Sequence, residues 1–152
     1  MFFAVILATF LIDQVSKAAV QSLMFLGESI PVAPPFFHLT YIMNPGAAFG
    51  LLAYQTPLFI AVGVLLVIGV LTVYRKIPAE KALVRYGLGL VLGGALGNLA
   101  DRLRYGRVVD FLDFRVWPVF NLADAAIFIG ACLLVWELLR DGSWKSEKDS
   151  VD

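Results

Sequence analysis

One cysteine and one histidine in 152 residues leave few routes to thiol or metal chemistry. Cys132 alone excludes an internal disulfide and any multi-Cys metal site. His38 alone builds neither a metal centre nor a Ser/His/Asp arrangement. Charge is also scarce, at 16% of residues against roughly 25% in a soluble domain. Twelve basic residues balance twelve acidic ones, so there is no polybasic surface to hold phosphate, and nucleic-acid binding is excluded. From Ser29 to Tyr74 there is no formal charge at all. What fills the chain is apolar: 60% of the residues, with a mean hydropathy of +0.82. That composition excludes a disordered chain and a disulfide scaffold, and describes a membrane protein. A spanning helix takes about 20 mostly apolar residues, so the chain can supply about four, within one expected domain, 1–152.

The apolar runs place the spans at about 1–24, 58–74, 82–103 and 121–139. The first run lacks a basic leader and a small-residue cleavage site, so it reads as a helix rather than a signal peptide. The lack of Lys or Arg ahead of Asp13 leaves the natural start open. Residues 25–57 form an outer segment punctuated by Pro31, Pro34, Pro35, Pro45 and Pro57, which break helix. Within it, Phe36–Ile42 is aromatic and β-branched and reads as a strand. Residues 104–120 make a second outer loop, and 140–152 a polar tail. Arg75, Lys76, Lys81 and Arg85 mark one turn as cytoplasmic, with Arg140, Lys145 and Lys148 marking the tail. The N-terminus falls on that side too. The 25–57 segment, with no basic residue, falls outside, and 102–115 joins it despite carrying four.

A charge at helix depth costs about 2.5–3.5 kcal/mol on insertion scales, so each one needs a reason. Asp13 and Lys17 stand at i,i+4, acid first, the favourable order for a pair on one helix face. They either neutralise each other or support a site. Gly89, Gly93 and Gly97 recur every four residues, as in closely packed membrane helices. Asn98, Asp101 and Arg102 continue as one polar face, where Asp101 can be neutralised by Arg102 or another base. Asp110 and Asp113, in Val-Val-Asp-Phe-Leu-Asp-Phe, read locally as loop acids near the membrane surface. Asn121 and Asp124 fit the N-cap and N3 positions of the fourth helix, which leaves a carboxylate fixed and ready to act. Cys132 reads as a core residue. Phe36, Phe37, Tyr41, Phe111, Phe114, Trp117 and Phe120 read as an interfacial aromatic belt or the wall of a groove. Acids gathered at the outer ends of spans suit two chemistries, proton-coupled transport and carboxylate catalysis. In the second, two carboxyls share a proton and one deprotonates water. Periodicity does not choose between them.

Five motifs in order do choose. They are Asp13-Gln14-Val15-Ser16-Lys17, Asn44-Pro45-Gly46-Ala47-Ala48-Phe49, the run from Gly93 through Asn98 to Asp101-Arg102, Val108-Val109-Asp110-Phe111, and Phe120-Asn121-Leu122-Ala123-Asp124. Together, over about residues 11–128, they resemble the prolipoprotein signal peptidase family, signal peptidase II. The resemblance implies an all-α membrane protein of four transmembrane helices with a small extracytoplasmic β-rich cradle in 28–56. It implies an aspartyl endopeptidase of the bacterial inner membrane, with both termini cytoplasmic and the site near the outer face. Such an enzyme cuts diacylglyceryl-modified prolipoproteins just before the lipid-bearing Cys. By motif position, Asp110 and Asp124 are the catalytic pair. Asp13, Lys17, Asn44, Gly46, Asn98, Asp101, Arg102 and Asn121 bind substrate or support the site. No cofactor and no metal is implied. The partners implied are lipidated prolipoproteins, membrane lipid and the inhibitor globomycin, with the chain a monomer. The alternative is a small proton-coupled transporter using the same acids as a relay.

Overall fold

A computed structural model of the chain describes residues 1–46 and 52–141. The elements run α1 (Phe2–Leu23), β1 (Ser29–Ala33), β2 (Phe37–Asn44), α2 (Thr56–Tyr74), α3 (Ala82–Tyr105), β3 (Val108–Asp113) and α4 (Leu122–Asp141). All four helices are long and apolar enough to cross a membrane. The protein is a multi-pass membrane protein. Ala47, Ala48 and Phe49 of the loop motif, and Lys145 and Lys148 of the tail, lie outside the described residues.

Helix α3 is the axis of the bundle, and its glycines explain why. Gly89 faces Val5 and the Phe2 carbonyl, and a Cβ at Gly93 would stand 2.7 Å from Thr9 and 2.9 Å from the Ile6 carbonyl. A Cβ at Gly97 would run into the Asp13 carboxylate. The four-residue glycine row is therefore the seat of α1. A second row serves α4: Gly87 and Gly130 each face the other's carbonyl, and Gly94 abuts that of Ala123. Small residues let these backbones approach, and dispersion between them holds membrane helices together where lipid removes the hydrophobic drive. At one end Phe2 stacks on Tyr74 at 3.7 Å and packs with Val70, Leu88, Val91 and Leu92.

At the other end the three strands form an antiparallel sheet in the order β1-β2-β3. Tyr41, Val109 and Phe111 pack on Val20 and Met24 and fasten the sheet to the end of α1. Helix α3 stops at Gly106, whose left-handed φ of 69° turns the chain straight into β3. The strand expected at Phe36–Ile42 is Phe37–Asn44. Of the two further strands, Ser29–Ala33 falls within the β-rich segment expected over 28–56, and the other was not expected. That one, Val108–Asp113, turns the second outer loop into the sheet's third strand.

Three residue readings change as well. Tyr41 and Phe111 are buried core residues rather than belt aromatics. Cys132 is exposed on α4, not in the core, because most of this apolar helix lies outside the protein interior. Asp110 and Asp113 are buried strand residues, not loop acids.

Candidate active site

The start of α4 is held by a reciprocal cap. The Asp124 amide donates to Asn121 Oδ1 at 2.9 Å, and the Asn121 amide donates to Asp124 Oδ2 at 3.3 Å. This is the capping-box arrangement, with Asn and Asp in the two roles. A third free amide, that of Ala123, donates to Asp13 Oδ1 of α1 at 3.0 Å. The cap fixes Asp124 at the mouth of the helix, where the dipole favours a carboxylate. Both roles read from the sequence for Asn121 and Asp124 are present in this geometry.

Asp110 comes from β3. Asn44 of β2 donates to its Oδ2 at 2.9 Å, and Asn121 Nδ2 donates to its Oδ1 at 2.6 Å. Asn98 Nδ2 of α3 donates to Asp124 Oδ1 at 2.7 Å. Both aspartates line one cavity of about 380 Å³, together with Asn44, Gly46, Asn98, Arg102 and the Trp117–Phe120 segment. Burial first, and then the charge of Asp124, push the Asp110 carboxyl up to about 7. The hydrogen bonds from Asn44 and Asn121 and the charge of Lys17 work against that rise without cancelling it. A carboxyl placed this way keeps its proton near neutrality while a second carboxylate stands beside it.

Beneath the pair lies a buried ionic cluster. Lys17 Nζ is 2.9 Å from Asp13 Oδ2 and 2.9 Å from Asp101 Oδ2, and donates to Asn98 Oδ1 at 3.0 Å. The base that neutralises Asp101 is thus Lys17, not Arg102. An ammonium has three hydrogens and no acceptor, so all three are used here. Because Lys17 can only donate, the Asn98 carbonyl must face it, and the Asn98 NH2 is turned toward Asp124. Asp101 Oδ2 also accepts from the Val109 amide at 3.1 Å, next to Asp110 in β3. Arg102 donates to the Gly46 carbonyl at 3.3 Å and lies over the Phe59 ring at 4.6 Å. Gly46 in turn donates its amide to Asn44 Oδ1 at 2.9 Å.

All ten residues singled out in the sequence therefore fall in one connected network at one end of the bundle. Phe59, Gln14 and Arg104 also join the network, and the sequence marked none of them for the site. Phe59, on α2, carries only an apolar signal. Gln14 lies inside the first motif and was passed over between Asp13 and Lys17, though it bonds both Asp13 and Asp101. Asp113, left outside the site, is apart from this network. Burial alone would raise its carboxyl, but bonds from Thr40 and from the Arg115 amide and guanidinium hold it below the ordinary range.

An apolar groove of about 650 Å³ begins at Asp124 and runs along α4 past Ala125, Phe128 and Ile129, walled by Phe114, Trp117 and Phe120. Phe114 stacks on Phe120 in this wall, and Phe37 packs against Phe114. Trp117, Phe120 and Asp124 border both the groove and the polar cavity. The two therefore adjoin at these residues, with carboxylates on one side and an apolar surface on the other.

A family model described as signal peptidase (SPase) II matches residues 5–140. A lipoprotein signal peptidase of Pelotomaculum thermopropionicum is 64% identical over 147 residues, 97% of each chain. Another, of Moorella thermoacetica, is 58% identical over 128 residues, 84% of this chain and 85% of that one. A bacterial membrane enzyme solved by the in meso method at 2.3 Å resolution is 32% identical, with a TM-score of 0.89 over 96% of this chain and 92% of that one. Nothing in these likenesses favours a transporter. Matched by that family model over most of its length and by relatives of such identity, the chain belongs to the signal peptidase II family.

Proposed function

We propose that this protein is an aspartic endopeptidase that removes the signal peptide from diacylglyceryl-modified prolipoproteins, with Asp110 and Asp124 as its catalytic pair. One observation carries the reading: two aspartates from different elements, Asp110 buried and Asp124 half-buried, face a single cavity that adjoins an apolar groove. The relatives named above are lipoprotein signal peptidases, and a lipidated peptide needs both halves of that site.

The division of labour follows from the surroundings. Asp110, with its carboxyl near 7, holds the shared proton. Asp124, at the helix start with the Asn98 and Asn121 donors, is the ionised member. Asp124 takes a proton from water as the water oxygen attacks the scissile carbonyl carbon. Asp110 gives its proton to the carbonyl oxygen. The tetrahedral intermediate then collapses: Asp124 gives its proton to the amine nitrogen as the C–N bond breaks, and a hydroxyl of the intermediate returns a proton to Asp110, which restores the starting pair. Asn44 and Asn121 keep Asp110 in place, and Arg102 holds the Gly46 backbone at the cavity edge, where a substrate strand can lie close. The groove along α4 takes the acyl chains, which puts the lipid-bearing Cys beside the aspartates and the cut just before it.

The distribution of Lys and Arg orients the site toward the extracytoplasmic face, with both termini in the cytoplasm. The enzyme works as a monomer with membrane lipid around it, and globomycin binds in the same cavity. Asp110→Asn and Asp124→Asn should each lower cleavage of a lipidated prolipoprotein by about 10²–10⁴-fold in a folded preparation. Near-normal cleavage by either variant would refute the catalytic assignment.

A further inference from the structure

Two carboxylates and one ammonium do not balance in hydrogen bonds. Asp13 and Asp101 are both almost fully buried, and Lys17 gives each a single N–H. Backbone amides of Ala123 and Val109 take one further oxygen site each. That leaves Asp101 Oδ1 with no donor and Asp13 Oδ2 with Lys17 alone, so a neutral donor that reaches both completes the cluster. Gln14 is that donor. Its Nε2 lies 3.1 Å from Asp13 Oδ2, 3.1 Å from Asp101 Oδ1 and 3.2 Å from the Gly97 carbonyl.

A glutamine amide can turn either way, and the wrong turn would aim a carbonyl at two carboxylates. Arg104 prevents it. Its Nη1 donates to Gln14 Oε1 at 2.8 Å from the exposed side of α3. A guanidinium only donates, so the Gln14 oxygen faces Arg104 and the NH2 faces inward. The same logic operates one step deeper, where Lys17 turns Asn98 toward Asp124. Two obligate donors thus orient two amides in series, from the surface of the bundle to the aspartate pair.

We infer that Gln14, oriented by Arg104, is a positioning residue for the reaction: it seats Asp13 and Asp101 around Lys17, and through Asn98 sets the geometry of Asp124. Neither Gln14 nor Arg104 lines the cavity, so neither is placed to touch substrate. Their loss changes the chemical step and leaves binding alone. A misplacement of this kind, remote from the chemistry, costs up to about a hundredfold in rate.

The inference rests on the aspartate-pair reading, and the test separates the two. Full-length Gln14→Leu, Arg104→Met, Arg104→Lys and Asp124→Asn proteins would be purified in detergent and assayed with one lipidated prolipoprotein. Gln14→Leu should lower kcat about tenfold to a hundredfold, with KM within about twofold of the parent. Arg104→Met should lower kcat less, and Arg104→Lys, which still donates to Gln14, should restore most of it. Because Arg104 is exposed, its variants stay informative if Gln14→Leu fails to fold. Parental kcat in Arg104→Met would overturn the inference, as would a loss confined to KM, provided Asp124→Asn is inactive. An active Asp124→Asn protein would overturn the aspartate-pair reading itself.

Discussion

Asp110 and Asp124 differ in the company they keep, and that difference has a measurable consequence. Asp110 is buried beside a second carboxylate and retains its proton up to about pH 7. A raised carboxyl is protonated below its own value and loses the proton above it. The active form carries one proton on the pair, so kcat/KM should fall as pH rises through about 7, about tenfold per unit once past it. A pH profile flat from 6 to 9 would contradict the assignment of Asp110 as the proton holder. The capping pair was legible in sequence, because Asn followed three residues later by Asp ahead of an apolar run is a helix-start pattern. The pairing of Lys17 with Asp101 was not, because it crosses from α1 to α3 and no local spacing encodes it.

At the scale of elements, the site depends on how closely α3 meets its neighbours. Gly97 sits where a methyl group would displace the Asp13 carboxylate. That carboxylate holds both Lys17 and the start of α4. Gly97→Ala should therefore destabilise the protein by about 1–3 kcal/mol, as overpacking does, and lower activity at least tenfold. Thermal unfolding in detergent and a cleavage assay on the same sample would check both. The strands explain which elements were hidden. β3 is buried on nearly every residue, so it lacks the in-out alternation that marks a strand. β1 is exposed throughout and contains Pro31, which an edge strand tolerates but a sequence reading takes as a break. The helices were plain because length and hydropathy alone define them, whereas β3 becomes a strand only by pairing with β2, far away in the chain.

For the molecule as a whole, the same apolar excess that gives away the spans conceals which face of each one meets protein. Cys132 shows the limit: an apolar helix offers no polar stripe to mark its outer side, so a lipid-facing thiol looks like a core thiol. Exposure resolves it. Leu65 in the middle of α2 is 68% exposed and looks onto lipid. Leu65→Arg should cost about 2.5–3.5 kcal/mol in membrane insertion, read as a drop in the inserted fraction in a translation assay with microsomes. An unchanged inserted fraction would mean that α2 is covered by protein there. The polar cluster, by contrast, is confined to the end that carries the sheet, so chemistry and lipid access meet at one place, the cavity and groove shared by Asp124.

The most direct test of that arrangement is product mass. Purified protein in detergent, with no ion gradient, would be incubated with a diacylglyceryl-modified prolipoprotein, with and without globomycin, beside the Asp124→Asn protein. Two products whose masses place the cut immediately before the lipid-bearing Cys, absent in both controls, are the predicted result. Intact substrate after incubation with folded, full-length protein would contradict the account.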